Sequence, residues 1–185
     1  KININGKDLL SLDLTQYRSL IGYVPQDVFL FSDTIHSNIN FGSADDDSAK
    51  AAKAAEQAVI LNEVNTLPEG MDTKIGERGV TLSGGQKQRI SIARAIARDC
   101  DLLIFDDCLS AVDVNTEHLI IQNLNRLLEN KSAIIITHRI FPGFQFDNIL
   151  VMEDGKVIEE GTHEQLMSLK GYYYSISHLQ KPVEA

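Results

Sequence analysis

The sequence is poor in the residues that build disulfide-bonded or cysteine-ligated proteins. Its 185 residues include two cysteines and no tryptophan. Cys100 and Cys108 form neither a C-x-x-C pair nor a Cys/His spacing typical of a zinc site, and two cysteines cannot make a disulfide framework. We therefore expect both side chains to be buried thiols in a reducing compartment.

Basic residues and long apolar runs are also scarce. Lysine and arginine number 17 against 26 aspartates and glutamates, which gives a formal charge of −9. Binding along a nucleic acid requires a basic face, so this balance argues against nucleic acid as a partner. No apolar run approaches the ~20 residues of a membrane-spanning helix, and no signal-peptide pattern is present. With 43% apolar residues, the length suits one domain with its own core.

The order of the apolar runs predicts an α/β fold. Residues 102–105, which are followed by Asp106, and residues 133–136 are apolar on both faces, and a helical pattern over 115–128 separates them. Such runs are typical of parallel strands buried within a sheet. Short hairpins are predicted at Asn5-Gly6 and Asp154-Gly155.

A helical segment is predicted between the first strands and this sheet. Ser43 and three aspartates precede an alanine-rich stretch, which favours a helix N-terminus. The helical pattern continues to about Asn65, and a second helix of roughly thirteen residues follows Gln86. We expect residues 43–98 to form a helical subdomain within the α/β unit.

The segment Ser83-Gly84-Gly85-Gln86 is a candidate anion site. Two glycines allow a ligand to approach the backbone closely. The helix that follows directs its free N–H groups and the positive end of its dipole at the same point. Ser83 adds a hydroxyl group. For this pattern on its own, the alternative is a simple turn that begins a helix.

Two carboxylates and a histidine follow the predicted parallel strands. Asp106 ends the run 102–106, at the edge where α/β sheets bind ligands, and its carboxylate suits Mg²⁺. Asp107 comes next and could orient or deprotonate a water molecule. The second strand ends in Thr137-His138. His138 could contact a phosphate or serve as a structural histidine.

Five strings in this order resemble the motifs of one family, the nucleotide-binding domains of ABC transporters. They are LSGGQ at 82–86, similar to the signature loop, LLIFD at 102–106, similar to Walker B, SAVD at 110–113, similar to the D-loop, YVPQD around Gln26, similar to the Q-loop, and His138, similar to the switch histidine. The resemblance covers essentially the whole chain. It implies a P-loop NTPase-like α/β fold, with a mainly parallel sheet, helices on both faces and an inserted helical subdomain.

The chemistry implied by this resemblance is hydrolysis of ATP with Mg²⁺. Asp107 and His138 would be catalytic residues, and Asp106 and Gln26 would lie at the metal. The residues that would bind nucleotide are Gln26, Ser83, Gly84, Gly85, Gln86 and Asp113. Domains of this family enclose ATP head to tail, so the implied partner is a second ABC domain, either identical or different.

The resemblance also implies an exporter, an integral membrane transporter whose ATPase domain lies at the cytoplasmic face of the inner membrane. TKIGERG at 73–79 is similar to the exporter X-loop, in which Glu77 would contact the transmembrane domain. The segment after Gln26 would contact it as well. Two alternatives remain, namely a soluble ABC ATPase without a transport role and, for the isolated chain, an inactive interaction module.

One departure from the family pattern is the lack of a Walker A loop. No G-x-x-x-x-G-K-[ST] string occurs, because Gly6-Lys7 is followed by Asp8 and Gly155-Lys156 by Val157. The resemblance implies that this loop precedes Lys1. We therefore expect the isolated chain to be inactive and the parent protein to be an ATPase.

The other departure is Asp107, where exporters usually have glutamate. A carboxylate one methylene shorter is displaced from the attacking water, and displacements of about 1 Å can lower a rate ~10²-fold. Asp107 therefore predicts a slow or degenerate site, and the resemblance implies that a domain with such a site is one half of a heterodimeric exporter. A homodimer with a slower base is the alternative.

Overall fold

A computed structural model of the chain describes nearly all of its residues, namely 2–4, 6–43, 45–76, 79–141 and 143–180. Contacts divide the chain into two units, Lys1–Ile136 and Thr137–Ala185. The first unit contains a parallel sheet surrounded by helices. The second contains an antiparallel hairpin followed by two helices.

Short strands alternate with helices along the chain. The strands of the first unit are β1 (Asn3–Ile4), β2 (Lys7–Asp8), β3 (Ile21–Val24), β4 (Leu102–Asp106) and β5 (Ser132–Ile136). Its helices are α1 (Leu14–Ser19), α2 (Ile35–Asn40), α3 (Ser48–Gln57), α4 (Leu61–Val64), α5 (Gly84–Ala97) and α6 (Val114–Leu128). The second unit contains β6 (Ile149–Glu153), β7 (Lys156–Gly161), α7 (His163–Leu169) and α8 (Tyr172–Leu179).

Strands β3, β4 and β5 form a parallel sheet in that order. This arrangement confirms the predicted α/β fold. Val24 of β3 pairs with Phe105 of β4, and Asp106 pairs with Ile136 of β5. The three strands therefore end at the same edge of the sheet, where the sequence places its carboxylates.

The sheet packs closely against α5. Gly22 of β3 lies so near this helix that an added Cβ would be 3.0 Å from the carbonyl oxygen of Ala95 and 2.6 Å from Cδ2 of Leu103. Glycine at this position therefore allows strand and helix backbones to come together. Leu103 and Phe105 of β4 are buried beneath this contact layer. Asp106 is thus held by a strand with a fixed core face.

Burial of β5 differs from the prediction. The sequence predicts both strands to be buried on both faces, but Ile134 and Ile136 are half exposed, at 50% and 49%. The reason is position in the sheet. Strand β4 has neighbours on both sides, whereas β5 pairs only with β4 among the described residues.

The helical segment also differs in detail from the prediction. Asp47, and not Ser43, caps α3, because its Oδ1 accepts a hydrogen bond from the N–H of Ala49 at 2.9 Å. The helix does not continue to Asn65. It is interrupted at Val59, whose φ of 57° is left-handed, and it restarts as the short helix α4. Apolar spacing continues across this break, so periodicity alone does not reveal it.

Both predicted hairpins are present. Strands β1 and β2 pair antiparallel across Gly6, which has a φ of 80°, while Asn5 lies outside the described residues. Strands β6 and β7 pair across Asp154 and Gly155, and both residues have positive φ, as a type I′ turn requires. None of the described helices has the length and apolar character that crossing a membrane requires.

Removing the Phe105 side chain should destabilise the chain strongly. Its ring is 2% exposed in the middle of the sheet, and truncating such a side chain to alanine costs about 3–5 kcal/mol of unfolding free energy. Urea denaturation of Phe105→Ala measures this loss. Leu10→Ala is the control, because Leu10 is 88% exposed and its loss should change stability by less than about 0.5 kcal/mol. Equal effects of the two substitutions would contradict the placement of β4.

Candidate functional site

Residues 83–86 begin α5 and form its cap. The Oγ of Ser83 accepts a hydrogen bond from the N–H of Gln86 at 3.2 Å, and Oε1 of Gln86 accepts one from the N–H of Ser83 at 2.9 Å. Within the described residues, no acceptor pairs with the backbone N–H groups of Gly84 and Gly85. Two donors at the positive end of a 14-residue helix are therefore available to an anion.

The two glycines of this turn have different surroundings. A Cβ on Gly85 would lie 2.8 Å from the carbonyl oxygen of Ala111, so packing of the chain requires glycine there. A Cβ on Gly84 would make only an ordinary contact, 3.5 Å from the Cβ of Ala111. The fold itself does not demand glycine at 84. The missing side chain there leaves space in front of the helix N-terminus.

The ion pair of Arg89 and Glu63 supports this turn through hydrogen bonds. The guanidinium of Arg89, 7% exposed, donates to both carboxylate oxygens of Glu63 at 2.5 and 3.1 Å. It also donates to the carbonyl oxygens of Val59 at 2.7 Å and Gly85 at 3.3 Å. Gln86 adds a hydrogen bond to Glu63 at 3.0 Å. The break after α3 thus brings a carboxylate to the candidate anion site.

Charge in this cluster alters the acidity of Glu63. The hydrogen bonds from Arg89 are the largest influence and hold the pKa of the Glu63 carboxyl below its ordinary value of 4.5, with Gln86 adding to the effect. Partial desolvation acts in the opposite direction. The carboxylate is therefore ionised and paired at neutral pH.

Asp106 is contacted by a neighbouring strand. The hydroxyl of Tyr23, on β3, donates to Oδ2 of Asp106 at 3.1 Å. This hydrogen bond is the main cause that raises the pKa of Tyr23, so the phenol remains a donor. Gln26 lies two residues beyond the end of β3, at the same edge of the sheet. Tyr23 is the first residue of the YVPQD string, but the sequence analysis assigned it no role, because no local pattern shows that this hydroxyl meets Asp106.

The oxygen donors at this edge suit Mg²⁺. This ion usually keeps several waters and binds through one or two carboxylates together with the phosphates of a substrate. Among the described residues, no cluster of three or more histidine, cysteine, aspartate or glutamate side chains could hold a metal by itself. The carboxylate of Asp106 therefore fits a Mg²⁺ ion that arrives with a phosphate group.

Asp107 occupies an unusual backbone conformation. Its φ is 43°, in the left-handed region, which aspartate adopts more readily than most side chains. Its N–H donates to the carbonyl oxygen of Ile136 at 2.9 Å. Cys108, the next residue, is buried, and desolvation raises the pKa of its thiol to about 12. The thiol is therefore neutral. Both cysteines are free and buried, as predicted.

The remaining residues predicted for the site are Asp113, His138 and Glu77. Asp113 caps α6 by accepting a hydrogen bond from the N–H of Thr116 at 3.1 Å, and Thr116 lowers the pKa of its carboxyl. His138 belongs to the second unit, so its role towards Asp106 stays a prediction. Glu77 lies outside the described residues, and its contact with a transmembrane domain stays a prediction as well.

An apolar cleft of about 350 Å³ lies next to the start of α5. It is lined by residues 28–31, 75–76 and 80–82 and by Lys87. Arg94 of α5 supports one wall, because it donates to the carbonyl oxygen of Phe29 at 2.9 Å and lies over the ring of Phe31. Phe29 itself is 65% exposed. The cleft therefore offers an apolar surface at the protein exterior.

Comparison with known proteins gives consistent matches. The family model described as ABC transporter matches residues 1–110. The chain is 42% identical over 178 residues to an ATP-dependent lipid A-core flippase of Neisseria meningitidis, covering 96% of the chain and 29% of that protein. It is 44% identical over 182 residues to the multidrug resistance-like ATP-binding protein MdlA of Buchnera aphidicola, covering 98% of the chain and 31% of that protein.

A solved structure matches the fold. The structure of a bacterial Atm1-family ABC exporter with ATP bound superposes with a TM-score of 0.90 at 37% sequence identity. The match covers 99% of the present chain and 32% of the exporter chain. The chain thus has a P-loop NTPase-like α/β fold and spans less than a third of the length of these relatives.

The paired Glu63 carboxylate should make stability depend on acid pH. Its folded-state pKa lies below the ordinary 4.5, so its contribution is present above pH about 4.5 and is lost as the pH falls through the lowered value. Urea denaturation from neutral to acid pH should therefore show a steeper loss of stability for the unmodified chain than for Glu63→Gln. Glu56→Gln, at an exposed position of α3, should keep the steeper profile. Parallel profiles for Glu63→Gln and the unmodified chain would contradict the pairing.

Proposed function

Because the chain belongs to the ABC transporter family, we propose that it is the ATP-binding and ATP-hydrolysing domain that powers an exporter. The parent protein is an integral membrane transporter, and this domain lies at the cytoplasmic face of its membrane. ATP binds with Mg²⁺ between this domain and a second ABC domain. The similarity to a flippase and to an Atm1-family exporter supports the exporter class.

The geometry of the SGGQ turn is the observation that carries this proposal. The N–H groups of Gly84 and Gly85 have no acceptor in the part of the chain that the structure describes. They lie with the hydroxyl of Ser83 at one helix N-terminus, which suits a phosphate. Packing within the chain does not require glycine at position 84, so the space in front of the helix N-terminus suits a ligand. In a head-to-tail pair, this turn caps the γ-phosphate of ATP held by the partner domain.

The other half of the site lies at the edge of the parallel sheet. Asp106 and Gln26 are the residues that would hold Mg²⁺, and bound Mg²⁺ would neutralise charge that develops on the transferred phosphoryl group. Tyr23 occupies one oxygen of Asp106 and orients the carboxylate. Asp107 orients the attacking water and accepts its proton, and His138 contacts the γ-phosphate.

The shorter side chain of Asp107 supports a slow or degenerate site. Its carboxylate is displaced by one methylene from where glutamate would place it, whereas the SGGQ turn has every group that an anion site needs. We infer an asymmetric pair of domains. The site with Asp106 and Asp107 binds ATP and turns over slowly, and the site capped by Ser83 is the hydrolytic one.

The half exposure of strand β5 supports a position beside it for the Walker A segment of the parent protein. Parallel strands are normally buried on both faces, yet Ile134 and Ile136 remain half exposed. A further parallel strand beside β5, together with the helix that follows it and packs on this face of the sheet, would cover them, and the loop between that strand and helix would begin at the same sheet edge as Asp106.

The apolar cleft suits the transmembrane partner. Its walls come from the segment after Gln26, from the X-loop and from the residues that follow the X-loop, and the resemblance implies that the first two contact the transmembrane domain of an exporter. Exposed aromatic residues such as Phe29 fit the apolar side of a short helix from the membrane domain. The resemblance implies that Glu77 adds a polar contact to the same partner.

Blocking the SGGQ turn should abolish most ATP turnover. Ser83→Arg in the intact protein puts a large cation where the phosphate binds, and loss of such charge-stabilising donors lowers turnover about a hundredfold or more. Phosphate release under saturating ATP measures the rate. Ser48→Arg is the control, since it places the same side chain at the exposed start of α3. Full turnover by Ser83→Arg would refute the proposed function.

Lengthening the side chain of Asp107 should accelerate its own site. Asp107→Glu restores the reach of the carboxylate, and hydrolysis at this site is expected to rise about tenfold. Single-turnover hydrolysis, with the partner's site inactivated by mutation, isolates the rate. Asp101→Glu adds the same methylene at the opposite end of β4 and should leave the rate unchanged. An unchanged rate for Asp107→Glu would reject the degenerate-site proposal while leaving ATP binding intact.

A further inference from the structure

Gln88 is a buried polar side chain to which the sequence analysis assigns no role. It lies in the second turn of α5 and is 6% exposed. Its Nε2 donates to Oγ of Ser110 at 3.2 Å, and its Oε1 accepts a hydrogen bond from the N–H of Ala111 at 3.0 Å. Both ends of the amide thus bind the segment from Ser110 to Asp113, the D-loop, which is otherwise exposed.

The contact continues from the D-loop to the backbone of Asp107. Oγ of Ser110 donates to the carbonyl oxygen of Asp107 at 3.0 Å. The same segment packs against the SGGQ turn, because the carbonyl oxygen of Ala111 lies 2.8 Å from where a Cβ on Gly85 would be. A continuous set of contacts therefore joins the start of α5 to the residue after β4.

We propose that Gln88 is a positioning residue that locks the D-loop onto α5, so that the SGGQ turn and the backbone of Asp107 move as one unit. The inference rests on the proposed function, in which these two elements belong to different ATP sites of a domain pair. Closure of the SGGQ turn on one nucleotide then shifts Asp107 beside the other.

The chemistry of the amide explains why glutamine serves here. The Oε1 atom satisfies the N–H of Ala111 while Nε2 donates to the hydroxyl of Ser110, which in turn uses its proton on Asp107. Methionine has a similar shape and neither function, so Gln88→Met leaves the N–H of Ala111 without its partner. Loss of this hydrogen bond should disorder the D-loop locally more than it disturbs the packing of α5.

Amide hydrogen exchange in the intact protein tests the local part of the proposal. Gln88→Met should accelerate exchange at Ala111 about tenfold, because the side-chain acceptor of its N–H is removed. Exchange at Ile104 in β4 should not change. Gln122→Met, the same substitution at an exposed position of α6, is the matched control. Unchanged exchange at Ala111 in Gln88→Met would overturn the proposal.

Single-turnover ATP hydrolysis at the site of Asp107, with the partner's site inactivated by mutation, tests the coupling. Gln88→Met should lower this rate about tenfold and change the Kd for ATP less than twofold, because it disturbs positioning and not nucleotide binding. Ser110→Ala should have a smaller effect of the same kind. The double variant should be no slower than Gln88→Met, since both substitutions break one path. Additive losses, or an unchanged rate for Gln88→Met, would overturn the proposal.

The two measurements separate this inference from the proposed function. If the intact protein does not hydrolyse ATP, the proposed function fails, while exchange at Ala111 still decides whether Gln88 holds the D-loop. If Gln88→Met also accelerates exchange at Ile104, the fold is damaged, and Ser110→Ala then decides, because Ser110 is exposed. An unchanged single-turnover rate for Ser110→Ala in that case would overturn the proposal.

Discussion

Close burial of helix α5 is the constraint on which the first unit depends. Residues 88–93 are buried consecutively, on every side of the helix, and a helix that is enclosed in this way must satisfy each polar side chain within the protein. Gln88, Arg89 and Arg94 do so by binding three different segments. The need to pair these side chains therefore organises the backbone around the helix.

Each of these pairings fixes a different functional element. Arg89 binds Glu63 and the carbonyl oxygens near the break after α3, Gln88 binds the D-loop, and Arg94 binds the wall of the apolar cleft. Gly22 lets β3 approach the same helix. Positions of the anion site, the D-loop and the cleft are consequently set by one element. Under the proposed function, nucleotide that binds at the N-terminus of α5 affects the anion site, the D-loop and the cleft together.

The charged and polar groups of the first unit suit the proposed ligand, ATP with Mg²⁺. The chain has a formal charge of −9, and Asp106 and Asp107 together bring carboxylates to one sheet edge. A polyphosphate alone would be repelled there, whereas Mg²⁺ bound to phosphate is attracted. The N–H groups of Gly84 and Gly85, at the start of α5, supply the donors that suit the phosphate itself. The carboxylates and the anion site are thus complementary parts of nucleotide binding, assigned by the proposal to two domains.

The sequence by itself determined the parallel strands, the start of α5 and the two carboxylates after β4, because each depends on neighbours within a few residues. Apolar runs, a serine with two glycines and a strand that ends in aspartate are local signals. Only the tertiary structure decided the partners of buried polar groups. Glu63 meets Arg89 across 26 residues, Gln88 meets Ala111 across 23, and Tyr23 meets Asp106 across 83. No local sequence pattern indicates pairings between residues that lie so far apart in the chain. The break at Val59 and the exposure of β5 were missed for the same physical reason, since both depend on what packs against a segment and not on its own spacing.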